Sequence, residues 1–127
     1  MSNFFFGTVA HGLGKGNEFG FPTVNIKLIN KKLHIDNGVY AAQVIIHKKT
    51  YKGMLYAGTR PTLGLHKKTI EIHILDYNEN LYNKQISFQI LHKIRDEIHF
   101  DSIEKLIENL HHDKEMVYNF FKNFSMD

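Results

Sequence analysis

Two clusters near the amino terminus have the residue types and spacing that phosphate chemistry needs. Gly12-Leu13-Gly14-Lys15-Gly16 offers backbone that can turn tightly and present N–H groups to an anion. Gly20-Phe21-Pro22-Thr23-Val24-Asn25 follows it. Pro22 fixes its own backbone angle and pushes Phe21 towards an extended conformation. With extended chain beyond it, Thr23 and Asn25 share one face and Val24 points away. A hydroxyl and an amide side by side, next to such a loop, make a cradle for a phosphate and its magnesium ion. Taken alone, each piece is weak. Thr23 and Asn25 then read more readily as polar groups of a turn or edge strand, and glycine serves loops of many kinds.

The elements that must position these residues are mostly strands. Phe4 to His11 reads as the first, and Gly38 to His47 as another. Lys48-Lys49-Thr50 reads as a turn into Tyr51 to Gly58, giving a hairpin. Arg60-Pro61-Thr62 and Gly64 mark a loop. Thr69 to Leu75 alternates most clearly, with Ile70, Ile72 and Ile74 on one face and Glu71 and His73 on the other. After a turn within Asp76 to Lys84, Gln85 to Leu91 alternates again. Short strands with little helix between them predict a mainly β fold, a closed or nearly closed antiparallel sheet.

The chain then changes character. Asp101 and Glu104 have capping-box spacing, and Ser102 is the alternative cap. Ile103, Leu106, Ile107, Leu110, Val117, Phe120, Phe121 and Phe124 recur at helical spacing. They predict one long amphipathic helix, about 102–123, lying across a barrel of about 3–95 and burying that stripe. All 127 residues read as one domain.

Composition narrows the function classes. Hydrophobic residues make up 43%, charged residues 23%, and mean hydropathy is -0.32, values of an ordinary soluble protein. No apolar run approaches membrane-spanning length, so no membrane partner is expected. With no cysteine there is neither disulfide nor thiolate zinc site, which suits the cytoplasm. The net charge of +3 is mild, and Lys48, Lys49, Lys52, Lys67 and Lys68 read as loop charges. Nucleic acid is therefore not an expected partner, and a monomer is expected. Among the nine histidines no three-ligand set can be placed, so no transition-metal site is expected.

Taken together, these segments resemble the riboflavin kinase family. The glycine run looks like its phosphate loop and Gly20-Phe21-Pro22-Thr23-Val24-Asn25 like its Pro-Thr-Ala-Asn signature. Gly38-Val39-Tyr40-Ala41, Gly58-Thr59-Arg60-Pro61-Thr62, Glu71-Ile72-His73-Ile74-Leu75-Asp76, Ile94-Arg95-Asp96-Glu97 and Phe100-Asp101-Ser102 follow in the family's order. The resemblance implies a compact Greek-key β-barrel with a carboxy-terminal helix, and transfer of the ATP γ-phosphate to riboflavin to give FMN. In bacteria such a module commonly follows an adenylyltransferase in a bifunctional FAD synthetase. No His-x-Gly-His appears here, so the kinase step without FAD synthesis is the expectation.

The resemblance also implies residue roles. Thr23 and Asn25 would hold Mg2+ and the nucleotide phosphates, and Glu71 would be the catalytic base. Gly12, Gly14, Lys15 and Gly16 would bind ATP phosphate, with Ile74, Asp76 and Tyr82 near the adenine. Arg95 and Phe100 would contact the flavin. Each residue has a plainer alternative. Glu71 could be a solvated carboxylate on an outer strand face, Lys15 a solvent charge, and Tyr82 a barrel-end packing residue. Arg95 could form a surface ion pair with Asp96 or Glu97, and Phe100 could pack helix against barrel. The chain departs from the family pattern at Val24 for alanine, Tyr56 for asparagine and Asn83 for glycine, and in a short Gly12 to Pro22 segment containing Glu18. That short loop motivates the alternative of a non-catalytic flavin-binding or regulatory module on the same barrel.

Overall fold

A computed structural model describes residues 4–10, 20–29, 33–59 and 68–124. Six strands form a closed antiparallel barrel: β1 (Phe4–Ala10), β2 (Val24–Leu28), β3 (Gly38–Ile46), β4 (Lys49–Gly58), β5 (Thr69–Ile74) and β6 (Gln85–Asp96). Around the barrel their order is β1-β2-β5-β4-β3-β6. Consecutive strands β3, β4 and β5 neighbour one another and β6 returns beside β3, which is the Greek-key order. One helix, α1 (Ile103–Lys122), follows.

Alternation sorts the strands' side chains into two cores. Val9, Ile26, Tyr40, Val44, Leu55, Ile72 and Phe88 fill the barrel. Val39, Ala41, Met54 and Leu75 form a second cluster with Leu106, Leu110, Val117 and Phe121 of α1. β3 is therefore covered on both faces, inside by the barrel and outside by the helix. Its almost uninterrupted buried run, Gly38 to Val44, reflects that position.

The helix begins where Ser102 accepts a hydrogen bond from the Lys105 N–H at 3.2 Å. Ser102 is thus the cap in place of Asp101, whose carboxylate instead meets the Lys105 ammonium at 3.4 Å. The buried stripe is also narrower than the apolar pattern implies. Ile103 remains 38% exposed, and Ile107, Phe120 and Phe124 are half-buried.

Two strand boundaries move for identifiable reasons. The hairpin turn is His47-Lys48, both left-handed with φ of 49° and 68°, so β4 starts at Lys49 within the expected lysine turn. A two-residue turn of this kind matches the twist of the flanking strands. β6 continues past Leu91 to Asp96, paired with β3 through register shifts at Val39/Tyr40 and Ala41/Ala42. Those irregularities break the period-two pattern and hide the extension from a reading of alternation.

Close approach of β3 and β6 explains Gly38. A Cβ there would collide with the carbonyl oxygen of Arg95, which belongs to the backbone and cannot rotate away. Gly38→Ala is expected to cost about 1–3 kcal/mol, measured as a lower urea midpoint at unchanged slope.

Candidate active site

β5 carries the centre of the site on its outer face. Ile72 and Ile74 point into the barrel, while Glu71 and His73 point out. Asn25 lies opposite Glu71 across the β2–β5 ladder, and Tyr56 opposite Glu71 across β4–β5. The Glu71 carboxylate is not solvated: the residue is only 5% exposed. Thr23 Oγ1 donates to its Oε1 at 2.9 Å and Thr69 Oγ1 to its Oε2 at 3.1 Å. Two hydroxyls thus fix the carboxylate's direction. Val24 packs against the barrel core, away from this face.

A cleft of about 650 Å³ opens at Thr23, and neither Glu71 nor Asn25 is part of its lining. Pro22, Thr23 and Val24 form one wall, Tyr77 to Tyr82 another, and Ile72 and Ile74 contribute to the lining. Thr23 therefore belongs both to the cleft and to the Glu71 hydrogen bonds. Tyr82 lines the cleft with 48% of its surface exposed, which is not the burial of a packing residue. Asn83 takes the left-handed conformation, φ 66°, that suits asparagine in place of glycine. Asp76 is not brought to the cleft lining. It sits in a left-handed turn, φ 59°, and accepts a hydrogen bond from the Tyr118 hydroxyl of α1 at 3.3 Å. Gly12, Gly14, Lys15, Gly16 and Glu18 lie outside the described residues.

Arg95 and Phe100 do come together, with the guanidinium carbon 5.4 Å from the ring centre. The ion-pair partner of Arg95 is neither the Asp96 nor the Glu97 carboxylate but Asp113 of α1. Arg95 Nε donates to both Asp113 oxygens at 2.9 and 3.0 Å, and Nη2 lies 2.9 Å from Oδ2. Arg95 Nη1 also donates to the backbone carbonyl of Asp96. The Asp113 side chain is 1% exposed. Sequence reading missed Asp113, although a signal existed: it fills the gap between Leu110 and Val117 in the helix's apolar stripe.

Glu97 is a second carboxylate that sequence reading undervalued. Its oxygens accept from the Tyr56 hydroxyl at 2.5 Å, the Thr59 N–H at 2.9 Å and the Asn37 amide at 3.3 Å. It therefore joins the ends of β4 and β6 to the start of β3. No local pattern marks this role, because every partner is distant in sequence.

His73 completes the neighbourhood. Its Nδ1 donates to the Pro22 carbonyl at 2.8 Å, and its ring meets Phe21 edge-on at 5.5 Å. Burial holds the imidazole below its ordinary pKa, with the Pro22 hydrogen bond opposing the shift.

The donor set suits a hard cation. Among the described residues no group of three His, Cys, Asp or Glu could hold a metal ion. Thr23, Asn25 and Glu71 offer hydroxyl, amide and carboxylate oxygens. An ion that keeps several waters and substrate phosphates around it fits such a set.

Known proteins share this arrangement of strands and helix. The family model for riboflavin kinase matches residues 2–121. The chain belongs to the riboflavin kinase family. A bifunctional riboflavin kinase/FMN adenylyltransferase of Haemophilus influenzae is 34% identical over 119 residues, 93% of this chain and 38% of its own length. Across curated relatives the chain spans 18% to 46% of their lengths. A Streptococcus pneumoniae crystal structure titled a macrolide-efflux protein superposes with TM-score 0.81 and 30% identity, covering 96% of this chain and 39% of that one. Riboflavin kinase from Trypanosoma brucei superposes with TM-score 0.63 at 20% identity, covering 94% of this chain and 80% of that one, which shows the shared fold. Among the described residues no helix is long and apolar enough to cross a membrane.

Two stability measurements check this geometry. Asp113→Ala strands a mostly buried guanidinium without its counter-charge and is expected to cost about 3–5 kcal/mol in urea unfolding. His73 gives a pH signature. Its folded pKa is lowered, so the unfolded chain binds a proton first, at about 6.5. The stability contribution is complete above that value and falls as acidification proceeds towards the folded pKa. Between about pH 7.5 and 5, wild type is expected to lose more stability than His73→Asn; parallel Tm curves would refute this.

Proposed function

We propose that this chain transfers the γ-phosphoryl group of ATP to the terminal ribityl hydroxyl of riboflavin, giving FMN and ADP. The observation that carries the reading is the buried Glu71 carboxylate, clamped by the hydroxyls of Thr69 and of Thr23, which itself lines the cleft, in a chain of this family. By this reading ATP occupies the cleft, with Ile74 and Tyr82 towards its adenine. Arg95 and Phe100 meet the flavin: a planar cation and an aromatic ring suit the polar edge and apolar face of an isoalloxazine.

Thr23 and Asn25 would hold a divalent ion, magnesium by this reading, which when bound neutralises phosphate charge. The Thr23 hydroxyl points its hydrogen at Glu71 and so leaves its lone pairs free to turn towards a cation. Glu71 takes the proton of the ribityl hydroxyl as that oxygen bonds to the γ-phosphorus. The bond from phosphorus to the β–γ bridging oxygen breaks, and ADP leaves with its electron pair. Alignment and charge neutralisation supply most of the acceleration, with the base orienting the nucleophile.

Incubation with riboflavin, ATP and magnesium, with flavins resolved by chromatography, is expected to yield FMN above a no-enzyme control. Flavin binding without FMN would favour a non-catalytic module instead. Glu71→Gln is expected to lower kcat by about 10²–10⁴-fold while riboflavin and nucleotide affinities persist; near-normal turnover would remove Glu71 from the base role.

A further inference from the structure

Thr23 stands one residue outside the paired part of its strand. The β2–β5 ladder begins at Val24, opposite Ile72, so sheet hydrogen bonding does not by itself place the residue before it. Two side chains of β5 reach across instead. Glu71 accepts from the Thr23 hydroxyl, and His73, on the same face, donates to the carbonyl of Pro22. That carbonyl belongs to the peptide joining Pro22 to Thr23. Holding it sets the plane from which Thr23 departs, while the proline ring fixes the angle on the other side.

The imidazole is built for this one bond. A carbonyl can only accept, so Nδ1 carries the hydrogen. Nε2 is buried with no hydrogen-bond partner among the described residues, and the residue is 7% exposed. Phe21 is 3% exposed and closes the site, its ring 5.5 Å from His73 and 4.9 Å from His111 of α1.

We infer that His73 is a positioning residue for Thr23: its Nδ1–H locks the Pro22–Thr23 peptide so that the hydroxyl meets both Glu71 and the nucleotide-bound cation. The inference rests on the proposed function for the cation and not for the lock itself.

Calorimetry with ADP, with and without magnesium, tests it alongside ¹⁵N spectra of the histidine rings. Asn places an amide N–H near the Nδ1 position, whereas Leu offers no donor. His73→Leu is expected to weaken Mg-ADP binding by about tenfold and leave metal-free ADP binding unchanged, with His73→Asn restoring most of the loss. Equal losses with and without magnesium, or none, would overturn the inference and leave Phe21 as a sufficient anchor. Should His73→Leu fail to fold, the wild-type spectrum decides. A protonated Nδ1 and bare Nε2 support the lock, and the opposite tautomer overturns it. Absence of Mg-ADP binding by the wild type would instead sink the proposed function.

Discussion

A short antiparallel ladder, Val24 against Ile72 and Asn25 against Glu71, is the constraint on which the site depends. It brings Thr23 within reach of a carboxylate 48 residues further along the chain, to which the hydroxyl then donates. Contacts at that separation carry a loop-closure cost that local structure does not repay. The barrel meets it collectively: closure leaves no free sheet edge, and β5 is held by β2 on one side and β4 on the other. Site and closure are one feature of the fold, since the strands that complete the ring also supply the catalytic candidates.

The outer surface of the barrel is where buried polar groups gather. Inside, the filling is almost wholly apolar, with Tyr40 reaching a polar partner through the Asp36 carbonyl. Outside lie Glu71, His73 and the Arg95–Asp113 pair, all largely withdrawn from solvent. Each of these needs a partner once water is excluded. The hydrogen bonds they make, with His73 bonded through Nδ1 alone, also fix their directions. A carboxylate aimed by two threonines, and a guanidinium aimed by an aspartate, lose the freedom they would have in solvent. That loss of freedom suits the proposed phosphoryl transfer, whose chemistry depends mainly on alignment.

Much of the scaffold was legible because its patterns are local. Ile70, Ile72 and Ile74 alternate with Glu71 and His73, so the facing of β5 follows from a period of two. Pro22 placed Thr23 and Asn25 on one face, as found. The misreadings share a cause as well. Lysines at 48 and 49 suggested a turn that the backbone makes at His47-Lys48, because handedness of the turn outweighs polarity. Bulges opposite β3 concealed the last part of β6. Asp113 was passed over within the apolar stripe and is the buried counter-charge of Arg95.

By itself, then, the amino-acid order determined element types, strand facing and the chemical character of each candidate group. These depend on neighbours within a few residues. Tertiary structure alone decided which groups meet: Thr23 with Glu71, His73 with Pro22, Arg95 with Asp113, Glu97 with Tyr56 and Thr59. Such pairings are set by barrel register and by where the helix lies. Neither leaves a trace in local periodicity, because the register of a closed sheet is a property of all its strands at once.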